Sequence, residues 1–135
     1  MKFVISSPDF WYQIDASFDK SGGMYILSCL GDESIPRPIS RLLGLDSEGI
    51  LYLGMASSFL DRVIELKKSL SPSHCSRSHD CGVRYKNHQE ISTMFPYDRL
   101  QIELIRSDDP KVTEQEALRK YLEEFGELPP LNRVS

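Results

Sequence analysis

An excess of basic charge is the first thing this sequence lacks. Its 16 Lys and Arg stand against 20 Asp and Glu, a formal net charge of -4. Phosphate binding depends on cations that displace counterions, so a surface that attracts nucleic acid everywhere is excluded and any such site is local. The candidate cations are Arg62, Lys67 and Lys68, then Arg77, Arg84 and Lys86. Long hydrophobic runs are also missing. The apolar start at Phe3 to Ile5 is too short for a secretory signal, and no later stretch reaches bilayer length, which predicts a cytoplasmic protein. Cysteine is scarce: Cys29, Cys75 and Cys81 are an odd set, better read as reduced thiols than as a disulfide framework. His74, Cys75, His79, Cys81 and His88 lie close together, yet neither Cys-x-x-Cys nor His-x-x-x-His occurs. That spacing suits tetrahedral zinc poorly. Zinc stays open as an alternative to a polar loop with one functional histidine.

What is present is ordinary for a globular chain. The 135 residues are 40% hydrophobic, with eight Gly and eight Pro spread along them and no repeat or low-complexity tract. One domain over residues 1–135 is expected. Phe3 to Ile5 reads as a short strand, and Phe10-Trp11-Tyr12 as an aromatic cluster of the core or a lid over it. Gly22 and Gly23 form a turn before an apolar strand over residues 24–30, and residues 50–54 supply its hairpin partner. Residues 31–48 contain Pro36 and Pro38 and read as a loop, with at most a helical turn over residues 39–45.

Ser57 or Ser58 can cap a helix in which Phe59, Val63, Ile64, Leu66 and Leu70 recur at helical spacing, leaving Asp61, Arg62, Glu65 and Lys68 off that stripe. A short helix is expected over residues 87–94. Residues 100–105 alternate as a strand with one wet face. Asp109-Pro110 opens a last helix with Val112, Ala117, Leu118, Tyr121, Leu122 and Phe125 on its apolar face, and Gly126 ends it. The sum is an α/β (α+β) domain, a mostly antiparallel three-stranded sheet flanked by helices.

Within that hairpin, Gly23-Met24-Tyr25 and Tyr52-Leu53-Gly54 resemble the two tripeptides that name the GIY-YIG nuclease superfamily. Arg62 follows Tyr52 by ten positions, where the family places its active-site arginine. The segment Glu114 to Tyr121, followed by Pro129-Pro130-Leu131-Asn132, resembles the family's glutamate-bearing helix and its closing asparagine. The resemblance covers most of the chain. It departs in the long spacer of residues 31–48 and at Leu66, where many members carry His or Tyr. His79 is the candidate replacement.

The resemblance implies a metal-dependent endonuclease that hydrolyses phosphodiester bonds in nucleic acid, DNA first. Glu114 would bind Mg²⁺ or Mn²⁺, with Glu116 as its rival, and Arg62 would hold phosphate. Tyr25 and Tyr52 would position or activate water, and His79 would transfer protons. Lys67, Lys68 and Arg84 would assist substrate binding, while Gly23, Gly54 and Asn132 are structural. Each residue alone has a plainer reading, as strand tyrosines and solvated helix charges. The competing functions are a catalytically weak member that binds nucleic acid or protein, and an interaction module with chance motifs. A partner protein or a homodimer would supply specificity.

Overall fold

The computed structural model describes residues 1–18, 21–73 and 79–132. A four-stranded sheet runs in the order β1-β6-β2-β5, with strands β1 (Lys2–Val4), β2 (Gly23–Cys29), β5 (Ile50–Ala56) and β6 (Leu100–Arg106). Every neighbouring pair is antiparallel. The expected count of three falls short by one because the Lys2–Val4 strand adds to the free edge of β6, pairing Phe3 with Ile102.

Helices cover both faces. On one face lie α1 (Phe10–Phe18), α2 (Phe59–Leu70), α3 (Asp80–Asn87) and α4 (Gln89–Met94). Phe10, Ile14 and Phe18 recur every four residues and are buried, so the segment read as an aromatic cluster is a helix whose stripe enters the core. Trp11 and Tyr12 are exposed rather than core or lid. In α2 the buried stripe is Phe59, Val63, Leu66 and Leu70. Residues 79–85, read as part of a loop, supply the cap and most of α3: the His79 side chain caps it by accepting from Cys81 N at 3.2 Å.

Helix α5 (Pro110–Phe125) lies on the opposite face, where Leu118 and Tyr121 meet Met24 and Leu53. Asp109 caps its start through Val112 N, and Gly126 ends it in the left-handed region. Val112 and Leu122 are exposed, so its apolar stripe is narrower than the sequence implies.

Residues 31–48 carry a 3-10 turn at Asp32–Ser34, and the helical turn expected over residues 39–45 does not form. They hold a hairpin of β3 (Ile39–Arg41) and β4 (Gly44–Asp46). Its exit is fixed by Asp46, whose carboxylate accepts from the backbone N–H groups of Glu48, Gly49 and Ile50 and from the Tyr121 hydroxyl at 2.9 Å. A buried carboxylate satisfied by four donors locks the turn to α5. The tail covers the outer edge of β5. Leu131 N donates to Leu51 O, and the Asn132 amide both accepts from Leu53 N and donates to Leu53 O at 2.9 Å. An open strand edge is thereby closed. Among the described residues no helix is long and apolar enough to cross a membrane.

Candidate active site

Strand register brings the two tripeptides together. Tyr25 on β2 pairs with Gly54 on β5, and Leu27 with Tyr52. Residues two apart on a strand share a face, so Tyr25 and Tyr52 are diagonal neighbours, with ring centroids 6.0 Å apart. The Tyr25 ring lies over Gly54: a Cβ there would sit 2.4 Å from Tyr25 Cζ. Only glycine leaves that room. Gly23 is equally constrained, since a Cβ would meet Ile105 O at 2.0 Å.

Beside the tyrosines opens a cleft of roughly 440 Å³ lined by Tyr25, Tyr52, Arg62 and Glu114, together with Asp61 and Glu65. Four elements supply the first four: β2, β5, α2 and α5. Glu116, the rival to Glu114, is exposed outside this lining.

Tyr25 is 1% exposed, and burial first, then the neighbouring Tyr52, push its hydroxyl pKa well above the usual value, against the pull of Arg62. Burial likewise pushes Tyr52 up to about 12. Both are neutral phenols at physiological pH. Arg62 hydrogen-bonds to Glu65 at 3.1 Å and lies near enough to Tyr25 for the two to interact electrostatically. Burial works against its charge, but those partners outweigh it and hold the guanidinium protonated.

His79, unlike Tyr25, is not among the residues that line the cleft. It is 1% exposed, and its Nε2 lies 2.7 Å from the Tyr25 hydroxyl. Burial, then the charge of Arg62, lowers its pKa to about 4, so the ring is neutral at pH 7. Since Nδ1 accepts from Cys81 N, the single ring proton belongs on Nε2, which donates to Tyr25. His79 thus steadies Tyr25 rather than meeting a substrate. Leu66 is fully buried in the core, so that position offers no polar group.

The other expected substrate-binding cations do not line the cleft. Lys67 donates to Ser7 O at 3.2 Å and sits over the Phe10 ring, joining α2 to α1. Lys68 is exposed on α2. Arg84 donates through Nε to Leu131 O at 2.7 Å and clamps the tail. Arg77 lies outside the described residues.

Glu114 is the residue suited to a cation. Its half-buried carboxylate receives no hydrogen bond or ion pair among the described residues, and burial raises its pKa. Such a group gains from a nearby positive charge. Among the described residues no three His, Cys, Asp or Glu side chains converge as a complete cage. One carboxylate with water and phosphate oxygens suits Mg²⁺ or Mn²⁺, which bind in that manner. Of the histidine and cysteine cluster, His74 and Cys75 lie outside the described residues, while both His79 nitrogens are engaged and Cys81 is a buried free thiol.

Sequence reasoning missed the partnership of Arg62 with Glu65 and the presence of Asp61 in the lining. The signal was there, in three charges within one and a half turns of α2. No family model, curated protein or solved structure matches the chain.

Proposed function

We propose that this chain is a divalent-metal-dependent nuclease of GIY-YIG type that hydrolyses phosphodiester bonds in DNA. What carries the reading is the convergence of Tyr25, Tyr52, Arg62 and Glu114 on one cleft from positions far apart in the chain. Taken singly these residues are unremarkable, and their joint position was the requirement the resemblance set.

Each has a task that its surroundings suit. Arg62, a planar fork of donors held charged, grips phosphate oxygens and stabilises the charge that grows on them in the transition state. Tyr25 accepts from His79 and lies beside the charge of Arg62, both of which would stabilise its oxygen as a phenolate that, having first lost its own proton to solvent, takes one from the attacking water. Tyr52 orients water or phosphate as a neutral hydroxyl. Glu114 holds Mg²⁺ or Mn²⁺, which when bound supplies charge neutralisation at the phosphate. Gly54 keeps the Tyr25 ring in place, and His79 and Asn132 act behind the site. Buried free thiols at Cys29 and Cys81 suit a reducing cytoplasmic setting.

A second reading is a catalytically weak domain that binds nucleic acid or protein. It draws on Leu66, which is wholly core, and on Lys67 and Arg84, which are engaged in holding the fold. With so few cations at the cleft, a partner protein or a second copy would then supply affinity and specificity. Nicking of supercoiled plasmid with and without Mg²⁺ or Mn²⁺ separates the two. The nuclease reading expects metal-dependent nicking that disappears in Glu114→Ala, and binding without cleavage across DNA and RNA forms favours the second.

A further inference from the structure

Glu65 follows Arg62 by three positions on α2, and both side chains line the cleft. Arg62 Nη1 donates to Glu65 Oε2 at 3.1 Å, with the two side chains 38% and 50% exposed. The Tyr25 hydroxyl is near enough to interact electrostatically with the same guanidinium. Arginine binds a phosphodiester best when two of its N–H groups meet two phosphate oxygens. With Nη1 turned to a carboxylate, that approach is obstructed.

Charge adds to the obstruction. Asp61, Glu65 and Glu114 place three carboxylates around the single guanidinium of Arg62 in the cleft lining. An arriving phosphodiester meets net repulsion there.

We infer that Glu65 is a displaceable stand-in for the substrate phosphate: it occupies Arg62 Nη1 in the free protein and yields it when a phosphodiester enters. The inference rests on the nuclease reading above and names a positioning residue within it. Glu65 suits the part because an exposed pair three residues apart on a helix is weakly held. A phosphate offering two oxygens outcompetes one monodentate carboxylate oxygen. Until then Glu65 keeps the guanidinium aligned and disfavours weaker anions. Glu65 therefore sets substrate affinity rather than the chemical step.

The test is fluorescence anisotropy with a labelled DNA duplex in metal-free, low-salt buffer, comparing wild type with Glu65→Gln, Asp61→Asn and Arg62→Ala. Asp61 is the control, since it lines the same cleft without being Arg62's ion-pair partner. Glu65→Gln is expected to tighten binding about three- to tenfold, and Asp61→Asn less than about twofold, because only the first replaces the carboxylate that holds an Arg62 donor with a weaker, neutral amide acceptor as well as removing a charge. In cleavage assays Glu65→Gln should lower KM more than it changes kcat. Equal gains in the two variants would reduce Glu65 to part of a general negative field and overturn the inference. Weaker binding by Glu65→Gln would do the same, marking a carboxylate that Arg62 needs. Arg62→Ala separates this failure from a deeper one. If it binds DNA as tightly as wild type, the cleft is not the substrate site and the nuclease reading falls too. If it binds more weakly while Glu65→Gln equals wild type, the role of Glu65 alone is lost.

Discussion

His79 and Tyr25, 54 positions apart in the chain, meet at 2.7 Å between Nε2 and the phenol oxygen. The contact joins α3's cap to the middle of β2, and it makes the neutral state of His79 part of the folded structure. Burial lowers the pKa of His79 from its usual 6.5 to about 4. Above pH 6.5 the folded and unfolded chains both carry it neutral, and its contribution is constant. Below that, the unfolded chain takes up a proton that the folded one refuses. Stability is therefore lost as pH falls from about 6.5 to about 4.

That loss should reach about 2 kcal/mol between pH 7 and pH 5. Urea denaturation at the two pH values measures it, and His79→Gln should flatten the difference. A wild type and a variant with equal pH dependence would place the titrating group elsewhere.

The packing of Tyr25 on Gly54 gives a second expectation. Gly54→Ala puts a methyl group 2.4 Å from Tyr25 Cζ, so the ring must move or the strands separate. A cost of about 2 kcal/mol is expected, as for other overpacked cores. Thermal unfolding reads the stability, and DNA cleavage should fall at least about tenfold because Tyr25 is displaced. A variant as stable and active as wild type would mean the ring has room that the geometry denies.

Much of this arrangement was legible beforehand, and the parts that were not have identifiable causes. The strands of the hairpin could be read because Tyr, Ile and Leu cluster there between glycine turns. Helix α5 could be read from Asp109-Pro110 and Gly126, which act through local backbone geometry. Helix α1 was hidden because Phe10, Trp11 and Tyr12 draw the eye as a cluster, while the informative spacing is Phe10, Ile14 and Phe18. Helix α3 was hidden because its cap is a histidine and it contains Gly82, neither a usual helix signal. The β3–β4 hairpin depends on Asp46 meeting Tyr121 across 75 positions, which no local pattern contains. At the cleft, the order of Tyr25, Tyr52, Arg62 and Glu114 could be read. The burial of His79 could not, because it depends on packing among elements distant in the chain.

Asp46 and Tyr121 should differ in what their loss costs. Tyr121→Phe removes one hydrogen bond and leaves Asp46 its three backbone donors, for about 1 kcal/mol. Asp46→Ala strands those donors and the Tyr121 hydroxyl together and should cost about 3 kcal/mol. Chemical denaturation of the two variants checks the ranking. Equal costs would show that the turn closes without Asp46.

Asn132 is expected to act on stability through the sheet edge. Asn132→Ala frees Leu53 N–H and C=O on β5 and should cost about 1–2 kcal/mol. Hydrogen exchange at the Leu53 amide should accelerate in the variant. Unchanged protection there would show that the tail does not guard that edge.

The central claim is that Tyr25, Arg62 and Glu114 act together on a phosphodiester. Its most direct test is the rate of Mg²⁺-dependent cleavage of plasmid and branched DNA by wild type, Tyr25→Phe, Arg62→Ala and Glu114→Gln, each first verified as folded. The account predicts cleavage by wild type that needs the metal, with each variant slowed at least about 100-fold. Cleavage undiminished in all three variants, or none by wild type on any DNA or RNA form with either metal, would contradict it.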